Sequence, residues 1–255
     1  MNHCALNIAL YGASGARWAM TERGRDAVAR GPESLRIGPS SLEWQDGTLV
    51  IRVDERAAPL PRRLRGTIRV TPLGLPARGF ALDAAGDHCW QPIAPRARIA
   101  VTLDRPDLSW TGEAYLDSNF GREPLEAGFK DWTWSRAHGA GKAIVLYDAR
   151  RRDGTETALA LRFAADGTVT TLDPPPLAAL PKTAWRLARS TRADAGAEIA
   201  VAATLEDTPF YARTWLKTRL YGEALDGFHE SLSLDRFKSP IVRAMLPFRM
   251  PRRIL

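Results

Sequence analysis

Short runs of β-branched, aromatic and aliphatic residues recur along this chain at roughly 8–12-residue spacing, each broken by Gly, Pro or Asp. That rhythm leaves little room for a helical architecture, because helical periodicity is nearly absent before residue 235. It predicts strands at 4–10, 17–21, 41–44, 48–53, 64–71, 98–103, 110–116, 131–136, 143–147, 158–163, 169–171, 185–189, 198–204, 213–221 and 228–232. Asp46-Gly47, Asp153-Gly154, Ala165-Asp166-Gly167 and Gly139-Ala140-Gly141 supply turns between them. The fold class expected is all-β, as antiparallel barrels or sandwiches. At 45% apolar and 25% charged residues, the 255-residue chain can bury a real core.

Glycines near the start imitate a different fold. Leu6 to Leu10, followed by Tyr11-Gly12-Ala13-Ser14-Gly15, resembles a strand entering a nucleotide-binding turn. That fingerprint needs a third glycine and a βαβ context. Trp18 stands where the third glycine belongs, so a hairpin turn is expected.

The net charge of +7 arises from 36 Lys and Arg against 29 Asp and Glu, and only five of the 36 are Lys. Such an excess suits nucleic acid or an anionic membrane surface. The last twenty residues favour the membrane. Arg236, Lys238, Arg243, Arg249, Arg252 and Arg253 alternate there with Phe237, Ile241, Val242, Met245 and Phe248, and no acid follows Asp235. Apolar groups interleaved with Arg fit a peripheral contact with anionic headgroups. Phe237, Arg243, Phe248, Arg249, Arg252 and Arg253 are the expected contacts, and no nucleic-acid motif accompanies them. Ser239 as N-cap and Pro240 as first residue predict a short helix to about Leu246, stopped by Pro247 and Pro251. No apolar stretch is long enough to span a bilayer and no signal peptide is visible. With two cysteines, Cys4 and Cys89, no disulfide framework is expected, and the chain reads as cytoplasmic with peripheral membrane association.

Two strand motifs carry the candidate chemistry. Side chains at i and i+2 share a face. In His88-Cys89-Trp90, His and Trp therefore point together; in Tyr115-Leu116-Asp117, so do Tyr and Asp. Trp132, Trp134 and Arg136 form a third such set. Adjacent His-Cys pairs diverge on a strand and lack metal spacing, so no metal is expected. No Gly-x-Ser-x-Gly elbow points to a hydrolase. An aspartic acid in an aromatic pocket is desolvated and held protonated, and Trp and Tyr faces stabilise a developing cation. An acid, a base and π-faces suffice to add water to an alkene without a cofactor. Each residue also has a structural reading: a core histidine, a turn aspartate, core tryptophans.

At these residues the chain resembles the carotenoid 1,2-hydratases, also called hydroxyneurosporene synthases. The matching blocks are Asn2-His3-Cys4-Ala5-Leu6-Asn7, Trp18-Ala19-Met20-Thr21-Glu22-Arg23-Gly24, Asp87-His88-Cys89-Trp90-Gln91-Pro92, Gly112-Glu113-Ala114-Tyr115-Leu116-Asp117-Ser118-Asn119, Trp132-Thr133-Trp134-Ser135-Arg136 and His229-Glu230-Ser231-Leu232. A last block runs from Pro247 to Arg253. The resemblance implies tandem lipocalin-like β-barrels in a bacterial carotenoid-pathway hydro-lyase. It implies a cofactor-independent addition of water across the terminal C1=C2 bond of acyclic carotenoids such as neurosporene and lycopene. It assigns Asp117 as proton donor to C2, Trp90 and Tyr115 to the cation at C1, and His88 to Asp117 or to the attacking water. Trp132, Trp134 and Arg136 would line the substrate. A non-catalytic lipocalin-like isoprenoid- or carotenoid-binding protein, or a truncated inactive homologue, is the alternative. Relatives carry an aromatic segment before Asn-His-Cys, so the first barrel is expected to be incomplete. The Pro-containing joint at Gln91-Pro92-Ile93-Ala94-Pro95 suggests domains at 1–92 and 93–235, with a basic tail at 236–255.

Overall fold

A computed structural model describes residues 3–12, 15–76 and 78–250. Strands dominate, in antiparallel sheets, as the punctuated sequence dictates. The chain divides into two compact units: residues 1–73, 97–115 and 244–255 form one, and residues 74–96 and 116–243 the other.

The first unit opens with β1 (His3–Leu10) and β2 (Arg17–Gly24), paired as a hairpin. Gly15 N–H donates to the Gly12 carbonyl at 3.0 Å, and the strands on either side pair antiparallel. A meander follows, of β3 (Val28–Arg30), β4 (Ser34–Ile37), β5 (Ser40–Gln45), β6 (Thr48–Arg56) and β7 (Arg63–Pro72). Ala19, Val53 and Leu64 form a core with Leu6, Ile8 and Ile68 packed against it. Beside it Arg23 donates to Glu55 at 2.7 Å with both side chains buried, and Ser40 Oγ donates to the other Glu55 oxygen at 2.7 Å. Each Glu55 carboxylate oxygen thus has a donor, as a buried pair requires.

Next come β8 (Phe80–Ala81), β9 (His88–Arg105) and β10 (Asp107–Gly121). The 91–95 segment, which the sequence reads as a domain joint, lies inside β9. Pro92 and Pro95 fall between the β9 residues that pair with β8 and those that pair with β7. A missing N–H costs no ladder bond to either strand there.

The second unit holds α1 (Leu125–Gly128), β11 (Phe129–Gly139), β12 (Lys142–Arg151), β13 (Glu156–Ala164) and β14 (Val169–Thr171). After them come β15 (Leu177–Leu180), β16 (Arg189–Arg192), β17 (Ala200–Asp207), β18 (Tyr211–Leu220) and β19 (Glu223–Ser233). Its main sheet runs β14-β13-β12-β11-β19-β18-β17, and β15 pairs with β16 apart from it. In β19 burial alternates with period two: Leu225, Gly227, His229 and Ser231 are buried and the residues between them less so. The core on that face is Ala137, Ile144, Leu146, Ala160, Leu220 and Leu225. The expected strand at 185–189 is instead a turn, in which Arg186 has φ 56 and its N–H donates to the Thr183 carbonyl at 2.8 Å.

The last described elements are two helices, α2 (Leu234–Phe237) and α3 (Pro240–Arg249). Pro247 does not stop α3, since Met250 N–H still donates to the Leu246 carbonyl at 2.9 Å. Among the described residues no helix is long and apolar enough to cross a membrane.

Candidate active site

The loop from β8 to β9 is built by one aspartate. Asp83 accepts the backbone N–H of Asp87 at 3.0 Å and of His88 at 2.7 Å. Gly86 takes the left-handed conformation this tight turn demands, with φ 70. Burial alone would raise the Asp83 pKa. The two backbone donors and Arg151, 3.2 Å away, outweigh it, and the carboxyl is held below its ordinary value. His88 Nδ1 lies 3.3 Å from the same carboxylate. The imidazole is buried, edge-on to Phe129 with ring centroids 4.8 Å apart. Gly121 packs against it so closely that a Cβ there would lie 2.5 Å from His88 Cδ2. Asp83 is therefore the carboxylate that faces His88, and among the described residues no hydrogen bond joins His88 to Asp117.

Two residues on, Trp90 is wholly buried, and its indole N–H donates to Asp117 Oδ2 at 2.7 Å. Around this bond is an aromatic nest. Trp90 lies 5.5 Å from Phe80 and 5.6 Å from Tyr147, and Tyr147 lies 5.8 Å from Trp132, all centroid to centroid. The register on β11 explains it: Trp134 is opposite Tyr147 and Trp132 opposite Ala149. Trp132, Trp134 and Tyr147 thus share one face. Burial holds the Tyr147 phenol neutral far above its ordinary range, and the Asp117 charge adds to that. Its hydroxyl donates to Asn119 Oδ1 at 3.4 Å, a long contact.

Pairwise face arguments from sequence thus place Trp90, Asp117, Trp132 and Trp134, but not Phe80, Asp83 or Tyr147. Those three come from strand partners and a loop. Tyr115 lies two residues before Asp117 on β10, half-buried. Arg136 is buried further along β11, 3.3 Å from His138 Nδ1. Both cysteines are free, and no three His, Cys, Asp or Glu side chains cluster as a metal site among the described residues.

Of the expected membrane contacts, Phe248 is exposed and Arg243 reaches Glu126 Oε1 at 3.5 Å. Arg249 stacks over Trp18 at 4.9 Å, and its carbonyl accepts the Trp18 indole N–H at 3.2 Å. Phe237 packs on Phe210, centroids 5.1 Å apart. Arg252 and Arg253 lie outside the described residues.

Fold and site define an all-β, lipocalin-like protein carrying a carboxyl group among aromatic rings. The solved structure of a protein provisionally assigned as AttH from Nitrosomonas europaea shares the fold, with TM-score 0.61 and 14% identity over 89% of this chain and 80% of that one. The family described as carotenoid hydratase CrtC matches residues 1–255, and the chain belongs to that family. Acyclic carotenoid 1,2-hydratases from Thiocapsa roseopersicina and Rubrivivax gelatinosus are 55% and 47% identical over 99% of this chain, which spans 62% of their length. A third, from Cereibacter sphaeroides, is 42% identical, and the chain spans 90% of it.

Proposed function

We propose that the chain hydrates the terminal C1=C2 bond of an acyclic carotenoid, as its relatives' names describe. The observation that carries this is the carboxyl of Asp117, hydrogen-bonded by Trp90 among Trp and Tyr rings. A carboxyl that accepts an N–H on one oxygen can carry its proton on the other. In this reading the Asp117 O–H protonates C2, and the alkene's electron pair forms the new C–H bond. The tertiary cation left at C1 faces the π-systems of Trp90, Tyr115 and Tyr147. Water adds to C1, and its surplus proton returns to the Asp117 carboxylate. The sum is alkene plus water to tertiary alcohol. The acid is regenerated, no electrons are transferred, and the balance needs no cofactor.

His88 acts here by position. With Asp83 it fixes the start of β9, two residues from Trp90, and packs on Gly121, four residues past Asp117. Trp132, Trp134 and Arg136 are the proposed substrate-lining set. The protein would meet its substrate at a membrane surface, for which α3 is the proposed contact.

Asp117→Asn tests the acid. It keeps an acceptor for Trp90 but carries no transferable proton, so hydration of lycopene in detergent should vanish while circular dichroism and thermal midpoint stay unchanged. Hydration at the wild-type rate would overturn the assignment. Carotenoid binding without turnover by the unaltered chain would favour the carrier alternative.

A further inference from the structure

The sheet that carries the aromatic nest has a second face, bearing Thr133, Ser135, Asp148, His229 and Ser231. A cavity of about 460 Å³ opens on it, with Leu177, Leu187, Ala158 and Leu232 among its walls. That is within the ~300–1,000 Å³ of small-ligand sites.

Two buried polar side chains line this cavity, Arg189 and Ser231. Arg189 donates to the Pro181 carbonyl at 3.0 and 2.6 Å and to Thr214 Oγ1 at 2.7 Å. Among the described residues no carboxylate lies within ion-pair distance of it, and Asp207 acts on it only from beyond contact. The cavity's own acids are engaged by other arginines of its lining. Asp131 is held by Arg150 at 2.5 Å and Asp148 by Arg192 at 2.6 Å, while Glu156 acts on Arg150. A buried cation without a counter-ion is costly, and an anion that reaches it recovers that cost.

Ser231 Oγ lies 3.0 Å from His229 Nε2, and Ser135 Oγ 2.7 Å from His229 Nδ1. Burial, with the nearby Arg189 charge, lowers the His229 pKa to about 3. A ring that resists protonation is a poor base, so this is no activated serine. In the tautomer protonated at Nε2, Ser135 donates to Nδ1, the ring donates to Ser231 Oγ, and the Ser231 hydrogen can serve a ligand.

We propose that this cavity is a second binding site, for an anionic amphiphile. Its carboxylate or phosphate head meets Arg189 and the Ser231 hydroxyl, and its apolar body lies along Leu177 and Leu187. Asp117 is not among its lining residues, although Trp132 is shared with the proposed substrate-lining set, and the proposal does not depend on the hydratase reading.

Titration calorimetry with laurate, lauryl phosphate and lauryl alcohol tests it. One or both anions should bind about ten-fold or more tightly than the alcohol, as a charge-assisted contact requires. Whichever anion binds more tightly identifies the head. Arg189→Gln should reduce the anions to the level of the alcohol. Ala158→Trp, which fills the cavity from an exposed wall position, should abolish binding with circular dichroism and thermal midpoint unchanged. Asp117→Asn should bind as wild type. Absence of binding, equal binding of alcohol and anions, undiminished binding by Ala158→Trp, or loss of binding in Asp117→Asn would each overturn the proposal.

Discussion

Trp90 has two roles to separate, a ring beside the proposed cation and an N–H held to Asp117 at 2.7 Å. Trp90→Phe keeps a ring and removes the donor. A hydrogen bond to a charged group is worth about 1.5–3 kcal/mol. In the proposed cycle Asp117 is charged only after it has given up its proton. Hydration kcat should therefore fall roughly 10–100-fold at unchanged fold, measured by product formation from lycopene in detergent. A wild-type kcat would leave the N–H without a part in the reaction. Tyr147 separates in the opposite sense, because its hydroxyl makes only a 3.4 Å contact while its ring touches Trp90 and Trp132. Tyr147→Phe should stay within about three-fold of wild type. Tyr147→Leu should lose roughly thirty-fold, the equivalent of about 2 kcal/mol of desolvated cation–π stabilisation. The sequence showed Trp90 and Asp117 but not Tyr147 for a physical reason. The i, i+2 rule tells which residues of one strand share a face, and says nothing of which strand lies opposite. The same gap hid Asp83, which reaches His88 through a loop that strand periodicity does not see.

Strand β19 shows how much an element's pattern reveals and where it stops. Its alternation marks His229 as inward, yet whether that ring is charged depends on neighbours from β11 and β16. In the structure it is fully buried between Ser135 and Ser231, with a pKa lowered from 6.5 to about 3. The unfolded chain takes up a proton at this residue below about 6.5, while the folded chain refuses it until near 3. Protons therefore favour unfolding across that window, and stability falls as pH drops through it, by up to about 1.4 kcal/mol per pH unit from this group. His229→Gln should show a shallower loss of urea midpoint between pH 7 and pH 4. A parallel loss in both proteins would mean the ring is charged or solvated when folded. Other elements were legible to within a few residues, β6, β12 and β14 among them, because β-branched runs end at clear turns. β15 was hidden by the prolines before it. β9 looked divided because Pro92 and Pro95 read as a break, although they occupy positions where neither β7 nor β8 needs an N–H.

At the scale of the whole molecule the question is how a protein of net charge +7 would meet the hydrocarbon substrate proposed for it. In α3, Val242 is buried and Arg249 rests on Trp18, which fixes one side of the helix. Ile241, Met245 and Phe248 are spaced i, i+4, i+7 on the other side and are 74%, 39% and 76% exposed. The sequence foresaw the mixture of Arg and apolar residues but not this division. Phe237, also counted as a contact, packs on Phe210. An exposed apolar stripe beside Lys238 and Arg243, with no acid in the helix, matches an anionic bilayer interface better than water. Replacing Ile241, Met245 and Phe248 together by Ser removes three side chains, each worth about 1.5–3 kcal/mol when fully buried. Even partial insertion predicts at least a hundred-fold loss of affinity for vesicles containing phosphatidylglycerol. Wild-type binding should weaken with salt and be slight on phosphatidylcholine alone, since the basic residues supply the rest of the attraction. Hydration of lycopene in detergent should survive the triple substitution, and hydration of lycopene held in vesicles should fall with binding. If both activities fell together, α3 would be serving the fold rather than the surface. If neither fell, the substrate would be reaching Asp117 by a route that owes nothing to this helix.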